Sequence, residues 1–246
     1  MYFLAYPFAN LLLLLYTLLG QNTVVAIIAL TVLINLILLP MNLSQQRSTR
    51  KMQELQPEFE KLKKKYAKDP ERLNQEQFKL YQKVGVNPLS GCLLLLIQFP
   101  IWFGLYRAIV YCVPSTPIQL FEFSQNIYQW LPGVVGLVPL QSTFLGMDLG
   151  QPPNLVQWWS YALPVLVFVT SIIQQRIISP PPASDDQSQT ATMNRQMQIM
   201  MPLMTVFFTL QYAIGLSVYF IISNLIRIIQ YSLVRTKRQD KAEAKS

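Results

Sequence analysis

Residues 196–234 read QMQIMMPLMTVFFTLQYAIGLSVYFIISNLIRIIQYSLV, a run whose single charge is Arg227. As one α-helix it would measure about 58 Å at 1.5 Å per residue, almost twice the thickness of a hydrocarbon core. Two spans joined by a tight turn fit it better, and the turn falls at Tyr212-Ala-Ile-Gly215. Each half is then about 16 to 20 residues, short for an ordinary bilayer, and short spans thin the lipid around them.

Three more uncharged, apolar stretches lie upstream, at Asn22 to Leu43, Asn87 to Tyr106 and Leu155 to Gln175. With the divided run they predict five spans. The composition agrees: 52% of the 246 residues are hydrophobic and 13% are charged, where a soluble domain would carry about a quarter. The chain has no His and two Cys, Cys92 and Cys112. That excludes a disulfide framework, a four-ligand Cys/His zinc site and the His-based hydrolytic triads. No paired carboxylates, Gly-rich phosphate loop or intramembrane Asp or Glu stands in the sequence, so neither an enzyme nor a metal or other cofactor is expected. The first 20 residues are apolar but lack a basic start or a cleavage site, which argues against a removed signal. Tyr2, Tyr6, Asn10 and Thr17 fall near one helical face, as in a helix lying in the interface, and an extra span is the other reading.

Charge sets the sidedness. Residues 44–87 hold 11 basic and 6 acidic residues, and residues 235–246 hold 5 and 2. Residues 113–154 hold no Lys or Arg. By the positive-inside rule the first two segments are cytoplasmic and the third lies outside. Between Ser44 and Gly85 the pattern predicts two polar helices split at Lys68-Asp69-Pro70. Met52, Leu55, Phe59, Leu62 and Tyr66 form one apolar stripe, and Leu73, Phe78, Leu80 and Tyr81 a second. Lys61, Lys63, Lys64, Lys65 and Lys68 form a basic cluster there. It serves either as a solvated, topology-setting face or as a contact for anionic headgroups or ribosomal RNA backbone, and nothing supports binding of DNA or reading of an RNA sequence.

Polar side chains within spans are costly unless they meet a partner or water. Thr31 and Asn35 sit one turn apart, Gln98 lies inside the second long span near Trp102, and the last region supplies Thr205, Ser217, Tyr219, Ser223, Asn224 and Arg227. Ser217 and Thr205 can bond their own backbone. Asn35, Gln98 and Asn224 cannot satisfy their whole amides that way and require interhelical bonds or a wet cavity. Arg176, Arg227 and Arg235 are expected to snorkel to the inner headgroups. The methionines Met193, Met197, Met200, Met201 and Met204 are read as gap-filling core before adaptable surface for apolar partners.

In order along the chain stand Leu38-Leu39-Pro40, Gln56-Pro57 in a charged hairpin, Val86-Asn-Pro-Leu-Ser-Gly-Cys92 leading into Leu96-Ile-Gln-Phe-Pro-Ile101, and Gly215-Leu-Ser-Val-Tyr-Phe-Ile-Ile-Ser-Asn-Leu225. In this order the sequence resembles the YidC/Oxa family of membrane protein insertases over residues 5–234. The resemblance implies an all-α polytopic fold: five transmembrane helices around a hydrophilic groove, preceded by an interfacial helix and carrying a cytoplasmic hairpin. On that reading the parts are the interfacial helix at 1–20, TM1 at 21–43, the basic hairpin at 44–86 and TM2 at 87–112. An outer loop follows at 113–154, then TM3 at 155–178, a cytoplasmic loop at 179–195, TM4 at 196–213, TM5 at 214–234 and a basic tail at 235–246.

The resemblance also implies partners and location: nascent membrane proteins, with the ribosome, the Sec translocon and anionic lipids, at a bacterial plasma membrane with hairpin and C-terminus cytoplasmic. Thr31 matches the family's groove Thr, and Tyr219 and Phe220 match its client-facing aromatic pair, while Gln98 and Trp102 line a second wall. Asn35 stands where the family carries a groove Arg, which leaves a neutral amide in place of a cation unless Arg176 or Arg227 substitutes. A rival reading is a small solute transporter or channel built on Asn35, Gln98 and Asn224, and a third is a packing subunit. The basic hairpin favours the insertase, because neither rival needs it.

Overall fold

The computed structural model describes residues 2–66, 69–85, 90–113, 121, 123, 125–128, 140–178 and 189–243. The chain is built from helices: α1 (Tyr2–Leu18), α2 (Thr23–Ile37), α3 (Leu39–Glu54), α4 (Gln56–Lys65), α5 (Pro70–Val84), α6 (Ser90–Cys112), α7 (Ala162–Ile178), α8 (Gln189–Gln211) and α9 (Gly215–Glu243). Two helices are long and apolar enough to cross a bilayer, Val156–Ile178 and Gly215–Leu233, and a third candidate is the bent run from Thr23 through Lys65. Phe3–Leu18, Leu96–Cys112 and Gln198–Gln211 are shorter apolar helices.

Local chemistry explains the breaks. Asn22 caps α2 by accepting from the backbone N–H of Val24 and Val25 at 3.0 and 3.2 Å, which serves donors a helix start leaves open. The first span was expected to run to Leu43, but its helix ends at Ile37 and the chain bends by 61° into α3. Pro40 lacks a backbone N–H and its ring crowds the carbonyl four residues back, so the helix cannot continue straight. Pro57 likewise divides the first hairpin helix, at Leu55. At the far end, α8 stops at Gln211 and α9 starts at Gly215, so the long run divides at the expected turn. The boundaries elsewhere shift: α8 already begins at Gln189, α9 continues to Glu243, and a 3-10 helix, Leu155–Tyr161, precedes α7.

The bundle core is held by close helix approaches. Ala5 and Ala9 on α1 and Ala108 on α6 are fully buried, and a Cβ on Gly104 of α6 would stand 2.9 Å from Leu4 Cβ of α1. Small residues let the two backbones meet, as in membrane helix pairs generally. Asn10, read with Tyr2, Tyr6 and Thr17 as one face of an interfacial helix, turns inward. Its amide donates to the Asn126 carbonyl at 3.1 Å and accepts from the Tyr128 N–H at 2.8 Å.

A strap closes one end of the bundle. Residues 113–154 were expected only as a loop, yet they carry a two-stranded hairpin, β1 (Thr143–Phe144) and β2 (Met147–Asp148). Its turn places Leu145 and Gly146 at φ 51° and 77°, the paired positive φ of a tight two-residue turn. The strap is bonded to three helix ends. Leu140 N–H donates to Cys112 O at 3.0 Å, and the Thr23 hydroxyl donates to Gln141 O at 2.6 Å. Ile214 and Gly215 N–H donate to Gln151 O and Leu149 O, both at 2.9 Å. Met147, Leu149 and Ile214 form a small apolar cluster beneath it.

At the opposite end, α4 and α5 pair through Leu55, Phe59 and Tyr81, with Met52, Leu62, Leu80 and Val84 alongside. Asp69 caps α5 by accepting from Arg72 N–H at 3.0 Å, and Gly85 ends it at φ 68° in the left-handed region, a common helix stop. Phe78, expected in the second stripe, is 54% exposed instead.

Candidate functional site

The polar residues singled out from the spans converge inside the bundle. On α2 the Thr31 hydroxyl donates to Ile27 O at 2.6 Å, and the Asn35 amide donates to Thr31 O at 2.9 Å and to Ser223 Oγ of α9 at 3.1 Å. On α6 the Gln98 amide donates to the Tyr219 hydroxyl at 2.8 Å, and its carbonyl accepts from Arg227 Nη2 at 2.8 Å. Tyr219, Ser223 and Arg227 recur every fourth residue, hence on one face of α9. One helix thus presents a phenol, a hydroxyl and a guanidinium in a column, met by Asn35 from one side and Gln98 from the other.

Aromatic packing surrounds this column. The Trp102 ring lies 5.1 Å from Phe220 and 5.7 Å from Phe208, and the Tyr219 and Phe220 rings are 5.5 Å apart. Beside them a narrow cleft is lined by Trp102, Phe103, Tyr106, Phe208, Tyr212 and Leu216. It is apolar, and it is not the hydrated concavity the polar residues predicted. Thr31, Asn35, Gln98, Trp102, Tyr219 and Phe220 are all buried. They form a packed interior, so any groove through them requires the helices to part.

All three span amides make interhelical bonds, the third through Asn224, which donates to Thr170 Oγ1 at 3.1 Å and Ser171 Oγ at 2.9 Å on α7. Thr205 bonds its own helix at Met201 O, 2.8 Å away. Ser217 was expected to do the same, but its buried hydroxyl has no partner among the described residues.

The largest correction concerns Arg227. Expected to snorkel to headgroups, it is half-buried instead and bonds Gln98 of α6. No carboxylate pairs with it among the described residues, and its Nε has no hydrogen-bond partner there. Arg176, by contrast, is exposed. The sequence signal for Arg227 was present in the four-residue recurrence from Tyr219, which a search for isolated polar residues overlooks.

Two further features lie away from this column. Arg50 of α3 lies over the Tyr231 ring at 4.4 Å from its centre and donates to Tyr231 O at 3.3 Å, a tie that sequence reading did not anticipate. In the basic cluster Lys61, Lys64 and Lys65 are exposed and Lys63 is half-buried. Lys68 lies outside the described residues, as do the side chains of Cys92, Met193, Met197 and Arg235. No group of His, Cys, Asp or Glu that could hold a metal occurs among the described residues.

The family described as 60Kd inner membrane protein matches residues 14–242. The chain is 35% identical over 240 residues to "Membrane protein insertase YidC 2" of Bacillus anthracis, covering 95% of this chain and 80% of that protein. It is 34% identical to "Membrane protein insertase MisCA" of Bacillus subtilis (strain 168), covering 95% and 78%. Among solved structures, "Active YidC insertase crystal structure with the first transmembrane domain resolved" matches with a TM-score of 0.60 at 30% identity. That match covers 91% of this chain and 45% of the solved chain, so this chain spans under half of that structure's length.

Proposed function

Because the chain belongs to the family of 60Kd inner membrane proteins, we propose that it is a membrane protein insertase, moving the polar segment of a client across the bilayer while the client's apolar helix leaves for lipid. The observation that carries this reading is the column Tyr219, Ser223 and Arg227 with its partners Gln98 and Asn35: a polar line through an apolar bundle. Side chains of that kind lower the cost a polar segment meets in hydrocarbon. The strap over Thr23, Cys112 and Gly215 keeps the line shut on the outer side. A client enters from the cytoplasm and exits sideways.

On this reading α2, α6, α7, α8 and α9 are the five spans and α1 rests in the interface. The hairpin and the C-terminus face the cytoplasm of a bacterium, as the distribution of Lys and Arg supports. Thr31, Asn35, Gln98, Trp102, Tyr219 and Phe220 meet the client once the helices part. Lys61, Lys63, Lys64, Lys65 and Lys68 meet the ribosome or anionic headgroups, and the Sec translocon is a further partner. Arg227 supplies the cation that Asn35 does not. The work is done by binding and displacement of water, without nucleotide or bond chemistry.

The test is reconstitution of the chain in liposomes with a single-span client, photo-crosslinkers being placed at Gln98 and Tyr219. Crosslinks to the client's polar segment, with protease protection of that segment, are the expected result. Absence of both, together with saturable flux of a small solute, would favour the transporter reading.

A further inference from the structure

Two ties join the run from α2 into α3 to α9: Asn35 to Ser223, and Arg50 to Tyr231. They are 15 positions apart on the first side and 8 on the second, roughly 22 Å of helix against 12 Å at 1.5 Å per residue. With a 61° bend on the longer side, α3 diverges from α9, and the long side chain of Arg50 reaches back to close the wedge. The start of α6 forms the third wall, since α3 packs on it and Gln98 holds Arg227.

Four side chains inside this bracket have buried polar atoms without partners among the described residues: Asn42 Nδ2, Gln46 Oε1, Arg227 Nε and Gln230 Oε1. Asn42 and Gln46 are 3% and 5% exposed. Such atoms are costly when left unpaired, and native proteins pair them. They comprise two donors and two acceptors, and that mixture narrows the ligand. A phosphate or carboxylate would use the donors and be repelled by the amide oxygens, and a metal ion would use the oxygens and be repelled by the guanidinium. A peptide backbone supplies both N–H and C=O. Its spacing also fits: Asn42 and Gln46, four residues apart on α3, are about 6 Å apart along the axis, and groups on one side of an extended chain recur every two residues, about 6.6 Å.

We propose that the wedge between α3, α6 and α9 binds the extended backbone of an incoming polypeptide, without regard to its side chains, at the cytoplasmic mouth of the polar line. This deepens the insertase reading and rests on it. Asn42, Gln46 and Gln230 hold the backbone by amide hydrogen bonds, and Arg227 Nε at the inner end adds a further donor for a backbone carbonyl. A chain can therefore enter whatever its sequence.

The experiment uses the full chain in liposomes and two synthetic single-span clients. Their polar segments are identical Gly/Ser repeats, except that in one every glycine is N-methylglycine, which removes N–H groups without adding charge. The readout is the initial rate of protease protection. The parent should insert the N-methyl client about two- to tenfold more slowly, the factor expected for one lost hydrogen bond. The double variant Gln46→Leu, Gln230→Leu should slow the glycine client and erase the difference between the two. Equal rates for both clients on the parent would overturn the proposal, even if the double variant fails to fold, and so would a difference that survives in a folded double variant. If the parent inserts neither client above empty liposomes, the insertase reading itself fails, which is a separate result.

Discussion

Arg227 Nη2 donates to Gln98 Oε1 at 2.8 Å, so a guanidinium from α9 is aimed across the bundle at an amide of α6. The same Gln98 donates to Tyr219, which fixes which end of its amide faces the cation. A cation inside a bundle with no carboxylate beside it is expensive and needs a reason. Asn35 is bonded to Ser223, one turn from Arg227 on the same face of α9. Arg227 thus places a positive group one helical turn from the Ser223 that Asn35 bonds.

Arg227→Gln removes the charge while keeping a side chain that can bond Gln98. Insertion of a client with an acidic polar segment should fall about tenfold, which is what one lost charge-assisted hydrogen bond of roughly 1.4 kcal/mol would cost. A client with an uncharged segment should change less than twofold. Asn35→Arg in the parent should bring little gain, because it loses the bond to Ser223 and sets two cations near each other. In the Arg227→Gln background the same change should restore the acidic client. Restoration in neither background would show that charge in this line does not matter.

The sequence made the helices legible, along with the turn at Gly215 and the interhelical bonding of Asn35, Gln98 and Asn224, because apolar runs and stranded amides are local signals. It did not reveal the bond of Arg227 to Gln98 or the clamp of Arg50 on Tyr231. Both depend on a partner more than 100 residues away, and an arginine near a span end has headgroups as its default partner. The strap escaped for a similar reason: strands of two residues leave no periodicity, and the residues flanking them bond helix ends distant in sequence.

Gly104 is the point where α1 rests on α6, with Leu4 Cβ and the Phe8 ring both within 3.3 Å of where its Cβ would lie. Gly104→Leu overpacks this seam at a cost of about 1 to 3 kcal/mol. It should lower the thermal unfolding temperature in detergent and expose Cys112, which is buried and donates its thiol to Ala9 O. Maleimide labelling of Cys112 is then expected to rise from near zero before unfolding. Labelling as slow as in the parent would mean that α1 does not shield α6.

The strap can be loosened without touching the polar line. Thr23→Val deletes the 2.6 Å bond to Gln141 O, worth about 1 kcal/mol. Gly150→Val places a Cβ 2.8 Å from Val113 O, backbone that cannot move aside cheaply. Together they should make a cysteine placed at Ile214 reactive to an impermeant thiol reagent added from outside, while the parent protein carrying the same cysteine stays protected. Unchanged protection would show that this end of the bundle is closed by something other than the strap, or does not face outward as proposed.

The α4–α5 hairpin should melt independently of the bundle, since its apolar cluster is separate from the main core. Phe59 is 6% exposed and its ring lies 5.0 Å from Tyr81. Phe59→Ala removes about 3 to 5 kcal/mol of packing, more than two short helices can spare. Gly85→Ala forces a Cβ into the left-handed region at the end of α5, at a cost of about 1 to 2 kcal/mol. Amide hydrogen exchange should therefore lose protection over 56–65 and 70–84 completely in Phe59→Ala and partly in Gly85→Ala. Protection in α6, α7 and α9 should stay at the parent level. If exchange rose in the spans as well, the hairpin and the bundle would form one cooperative unit, and movement of the hairpin could not open the mouth of the polar line without loosening the spans.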